Sequence, residues 1–133
     1  MLETNTIELK GIEISVSHFL PNHPTCGLVH GHNLLIDVKI HGLGRVKKML
    51  VDFTLIKAYV RKFDHHSLNQ HLKYPTSENF ASLLAFRILR LADQQYPYIT
   101  GVTVRVQETE KCSFEKSIMR GEVQVVGESS ETF

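Results

Sequence analysis

At 133 residues the chain has the length of one domain, 1–133, large enough to bury a real core. A formal charge of +1, with no sustained run of lysine or arginine, argues against tracking a nucleic-acid backbone, and 42% hydrophobic against 22% charged residues argues against disorder. No stretch is apolar enough to span a bilayer and MLETNTIELKG has no signal-peptide core, so a cytoplasmic protein is expected, with Cys26 and Cys112 as separate thiols.

Ile12, Ile14 and Val16 alternate with Glu13, Ser15 and Ser17, the period of a strand with one buried face, and His18 falls in step with the apolar set. FLPNHPTCG, with two prolines and an asparagine, reads as a loop. Leu34, Ile36, Val38 and Ile40 mark a second strand, and His30 and His32 share its parity. A turn around GLGRVKK leads to MLVDFTLIKAYVRKF, where Phe53, Ile56, Val60 and Phe63 follow helical spacing, Asp52 suits the N-cap and the end falls near Phe63. After the polar DHHSLNQHLKYP, Thr76 or Ser77 caps a second helix with Glu78 in its first turn and Phe80, Leu83, Leu84, Ile88 and Leu91 as its buried stripe. Val102, Val104 and Val106 form a third strand with Glu108 in register on their face. A fourth is predicted within EVQVV at 122–126, before a frayed tail. The order ββααββ implies an α+β domain, two helices on one face of an antiparallel sheet whose edges favour assembly into an oligomer.

The chemistry concentrates in CGLVHGH, residues 26–32. Positions two apart on a strand project to one side, so His30 and His32 aim at a common point, and His18 sits on the matching face of a neighbouring strand. Three nitrogen ligands with one position left open is the arrangement of catalytic zinc. A lone histidine is more often a capping or core residue, whereas three on coinciding apolar faces favour a metal. Cys26 reads either as a fourth ligand that closes the site or as a thiolate that moves protons beside an open one, and spacing leaves both standing. In FDHHSLN, Asp64 next to His65 is either a proton relay or a helix-ending turn. Glu108 is either solvated or a reader of paired N–H donors. Cys112 is expected to be a buried, inert thiol, and His23 and His41 to be solvent-exposed.

The ordered series SHFL, CGLVHGHN, LVDFTLIK, FDHHSLN, YPTSENFA and VRVQET resembles the family of 6-pyruvoyltetrahydropterin and 6-carboxytetrahydropterin synthases, over about residues 10 to 122. The resemblance implies the tunnelling fold (T-fold), in which subunits join their sheets into barrels, commonly trimers stacked into hexamers, with active sites at subunit interfaces. By motif, His18, His30 and His32 would hold Zn2+, Cys26 would be the catalytic base, and Asp64 with His65 would complete the proton transfers. Glu108, with Thr109 beside it, would bind the pterin of a 7,8-dihydroneopterin triphosphate substrate. Three residues between Cys26 and His30 resemble the 6-carboxy subgroup, which releases acetaldehyde and triphosphate on the queuosine (7-deazapurine) route. The alternatives are a 6-pyruvoyltetrahydropterin synthase, which eliminates triphosphate, and a non-catalytic zinc-containing pterin-binding protein. Phe63 stands where relatives usually carry leucine, a packing exchange. Lys116 and Arg120 are phosphate candidates on charge alone.

Overall fold

The first strand, β1 (Asn5–His18), is longer than its alternation suggests, because the pattern changes phase inside it. Leu9 and Ile12 are both buried, and the pairing register shifts between them. Gly11 takes φ +67° there, a left-handed conformation that glycine adopts without a Cβ penalty, and its N–H donates to Asp37 Oδ1 at 2.7 Å. This bulge carries the inward face from Leu9 to Ile12, Ile14 and Val16, and so puts His18 on the core side.

A computed structural model describes residues 4–43 and 49–121. After β1 come β2 (His30–Gly42), α1 (Phe53–Arg61), the two-residue β3 (His66–Ser67), a 3-10 turn over Leu68–Gln70, α2 (Ser77–Asp93), β4 (Ile99–Thr109) and β5 (Cys112–Met119). The sheet runs β3-β1-β2-β4-β5, antiparallel except where β3 adds to the edge of β1 in parallel. β5 lies in a segment too polar to announce itself: of its residues only Ile118 is fully buried. The strand predicted at 122–126, and the tail after it, lie outside the described residues, and the second strand of the closing pair is β5 instead.

Both helices cover the face to which the even-numbered residues of β1 (from Ile12), β2 and β4 point. Ile36, Val38, Ile40, Val102, Val104 and Val106 there meet Ile56, Val60, Phe80, Leu84 and Ile88, all fully buried. Each such side chain contributes about 1.5–3 kcal/mol relative to exposure. Asp52 caps α1 by accepting from the Thr54 N–H at 3.0 Å, and α1 ends two residues before Phe63, which is buried against Phe80. Thr76 caps α2 through its Oγ1, which accepts from the Asn79 N–H at 3.1 Å.

The opposite face is polar. A row of side chains crosses four strands there, Thr6 to His41 at 3.0 Å, His41 to Thr103 at 3.1 Å and Thr103 to Ser117 at 2.9 Å. His41 is therefore half-buried and bonded on both ring nitrogens, a correction to its expected exposure.

Candidate metal centre

Register brings the histidines together. His18 lies directly across from His30 in the β1–β2 ladder, and His32 lies across from Val16. The three rings stand edge to face with centroids 4.5, 5.0 and 5.0 Å apart, and one ligand atom of each lies within 4.8 Å of the other two. Backbone carbonyls orient two of them: His18 Nδ1 pairs with the Pro75 oxygen at 2.7 Å and His30 Nδ1 with the Leu28 oxygen at 2.8 Å. A ring that donates from Nδ1 to a carbonyl keeps the Nε2 lone pair free for a ligand, the usual support of a metal-binding histidine.

Nε2 of His18 and Nε2 of His32 are buried without a hydrogen-bond partner. Such orphaned nitrogens are costly unless something else satisfies them, and a divalent ion bound by nitrogen donors does so. Burial, above all, holds the His32 pKa below the usual 6.5. Glu108 opposes that shift, and His18 and His30 add to it. A neutral imidazole is the form that binds metal. The donor set fits zinc.

Glu108 ends the buried row of β4, with Oε1 2.9 Å from His32 Nε2 and 3.8 Å from His18 Nε2; the nearer approach is not aligned for a hydrogen bond. Its Oε2 accepts from the Ser77 hydroxyl at 3.3 Å, at the start of α2. A cleft of about 290 Å³ opens beside these groups, lined by His18, His30, Cys26, Thr76, Ser77 and Glu108. Cys26 reaches it from a closed loop, in which the Leu20 N–H donates to the Cys26 carbonyl at 2.8 Å. His23 Nδ1 accepts from the N–H groups of Thr25 and Cys26 at 3.1 and 2.9 Å, so this ring, expected to be exposed, is half-buried and shapes the loop. Gly27 completes the closure, since a Cβ there would meet the His23 carbonyl oxygen at 2.7 Å.

Asp64 and His65 lie elsewhere. They bracket Ser15 on β1: its N–H donates to Asp64 Oδ1 at 2.8 Å and its carbonyl accepts from the His65 N–H at 2.6 Å. His65 takes φ +62°, and its side chain is 82% exposed, with Nε2 3.6 Å from Asp64 Oδ2. The Ser15 N–H is the largest cause that holds the Asp64 pKa below its usual 3.8; His65 and Arg61 add to it against some desolvation. Neither residue lines the cleft. His66, next in the chain, pairs with His71 through Nδ1 and Nε2 at 3.2 Å.

Thr109 is exposed outside the cleft, and its hydroxyl accepts from the Lys111 N–H at 3.2 Å. Arg120 is occupied by Asp93 at 2.6 Å and by the carbonyls of Pro97 and Ile99, while Lys116 stands on β5 opposite Val104. Cys112 is exposed rather than buried, because it opens β5 at the turn; both cysteines are free thiols. Sequence reasoning missed Ser77, the Pro75 carbonyl and His23 as parts of the site. YPTSEN was legible as a helix start and as one block of the family resemblance, and a backbone carbonyl leaves no mark in a sequence.

Residues 7–117 match the family model described as 6-pyruvoyl tetrahydropterin synthase. The chain belongs to that family. Two curated relatives share the name "Putative 6-carboxy-5,6,7,8-tetrahydropterin synthase". The one from Archaeoglobus fulgidus is 42% identical over 69 residues, 49% of this chain and 60% of the relative. The one from Methanocaldococcus jannaschii is 40% identical over 63 residues, 47% of this chain and 38% of the relative, so the match spans less than two thirds of either. Among solved structures, 6-pyruvoyl tetrahydropterin synthase from Plasmodium vivax superposes with a TM-score of 0.71 at 14% identity, over 89% of this chain and 99% of that one. The synthase family's T-fold is thus the fold of this chain, with β3 as a small addition at the sheet edge.

Proposed function

We propose that the chain is a zinc-dependent enzyme that converts 7,8-dihydroneopterin triphosphate and one water to 6-carboxy-5,6,7,8-tetrahydropterin, acetaldehyde and triphosphate, within queuosine (7-deazapurine) biosynthesis. The observation that carries this reading is the single cleft shared by a thiol, two of the three clustered histidines and a carboxylate. The 6-carboxy product is favoured by the short CGLVH interval and by the names of the archaeal relatives.

When bound, zinc supplies a Lewis acid that makes neighbouring C–H and O–H protons easier to remove. Cys26 takes such a proton, lining the cleft from a loop held by one backbone–backbone bond and two N–H bonds to the His23 ring. Glu108 offers two oxygens to the paired N–H donors of a pterin edge, which fixes the ring so that the substrate's side chain lies against the histidines. His65, oriented by Asp64, returns a proton. Its exposed place on the β1 edge suits service to the cleft of a second copy, in a homo-oligomer with active sites at the interfaces. Among the described residues no helix is long and apolar enough to cross a membrane.

Incubation of the zinc-loaded protein with 7,8-dihydroneopterin triphosphate, read by product mass, tests the reading. The 6-carboxy pterin is expected. A 6-pyruvoyl or 6-hydroxymethyl pterin would reassign the product, and binding without conversion would leave a pterin-binding protein.

A further inference from the structure

Glu108 stands within ligand-to-ligand distance of two of the histidines. Two donors on one tetrahedral zinc, each about 2.0–2.1 Å from the metal, are about 3.4 Å apart. The Glu108 Oε1 distances to His32 Nε2 and His18 Nε2, 2.9 and 3.8 Å, bracket that spacing. The contact with His32 is also misaligned for a hydrogen bond, as expected of two lone pairs aimed at a common point rather than at each other.

We infer that Glu108 is itself a metal ligand while the pterin site is empty, and that pterin binding draws it off the metal. The inference rests on the triad being a metal site, as proposed above. The carboxylate leans over the His18–His32 edge, outside the group of three whose ligand atoms share a 4.8 Å limit, so coordination requires it to rotate about its own side-chain bonds. Among the described residues its other oxygen is held by the Ser77 hydroxyl at 3.3 Å, long for such a bond and so a weak restraint on that turn. One carboxylate cannot serve both partners at once, because the paired N–H donors of a pterin occupy both oxygens. Recognition of the ring thus opens the metal when the reactive side chain arrives, and the resting centre keeps four protein donors.

Cobalt(II) in place of zinc reports the ligand set through its visible absorption. In the full chain, cobalt is expected to show a four-coordinate spectrum that changes when 7,8-dihydroneopterin is added. Glu108→Gln, which keeps the side-chain shape, and Glu108→Ala should both show an altered spectrum without any pterin, and about tenfold or more weaker metal affinity. An unchanged spectrum and affinity in either variant overturns the inference; if product formation by the parent protein persists, the proposed function stands and Glu108 is a pterin anchor only. A parent protein that takes up no cobalt overturns the inference together with the metal reading.

Discussion

The two parts of the proposed catalytic set differ in how far one chain completes them. The histidine triad closes within a single fold: β1 and β2 present His18, His30 and His32 through one register, carbonyls fix two of the rings, and β4 adds Glu108. The Asp64–His65 corner is held just as firmly through its backbone, by two hydrogen bonds to Ser15, yet its functional ring projects into solvent. A backbone can thus be fully specified while the side chain it carries stays largely exposed. The metal reading rests on one chain, whereas the proposed relay calls for a second copy.

The hardest blow to the closed half is His32→Ala. It should abolish stoichiometric zinc, a loss beyond the about 10–100-fold cost of removing a supporting partner, and metal analysis of the purified variant checks it. Full metal content would mean that the triad is not the centre.

On the open half, Cys26→Ala and His65→Ala should each lower turnover by about 10²–10⁴-fold while zinc content stays at the parent level. Co-assembly of the two variants sharpens the contrast. Partial recovery of product formation is expected, since some interfaces would then pair an intact Cys26 with an intact His65; no recovery would place both residues in one chain's site.

Acid should weaken the fold in two stages, first at histidines outside the triad and then at the Asp64 corner. Partial desolvation is the main cause that keeps His41 and His71 below the usual 6.5, with Lys39 adding to it at the first and His66 and Arg87 at the second. A folded histidine with a lowered pKa binds protons less readily than the unfolded chain, so stability is full above 6.5 and declines as pH falls below it. Asp64, held down chiefly by the Ser15 N–H, contributes stability that is present above 3.8 and is lost as pH falls through its lowered folded value. Urea midpoints of the metal-free protein should fall in those two stages, and a profile flat across the first would contradict the histidine assignment. The smallest effect is expected of Thr76→Ala, which removes the cap of α2 at a cost of about 1 kcal/mol, measured by urea unfolding. Because Pro75 beside it holds His18, a small loss of zinc affinity should accompany it.

Alternation and capping were legible where one residue decides them. Asp52 and Thr76 act as caps, and the even-numbered rows are buried from Leu34 to Gly42 on β2 and from Val102 to Val106 on β4. The start of β1 was hidden because the bulge at Gly11 breaks its period, and β5 was hidden because an edge strand needs few apolar residues. His23 and His41 passed for surface residues, since a ring that closes a loop or bridges strands looks in sequence like one in water.

By itself the sequence determined the ββααββ order and the common parity of His18, His30 and His32, because side-chain direction in a strand follows from position alone. Only the tertiary structure decided that His18 faces His30, that Glu108 leans onto the triad and that His65 does not reach Cys26's cleft. Those depend on register and on packing between segments distant in the chain, and such relations have no local signature.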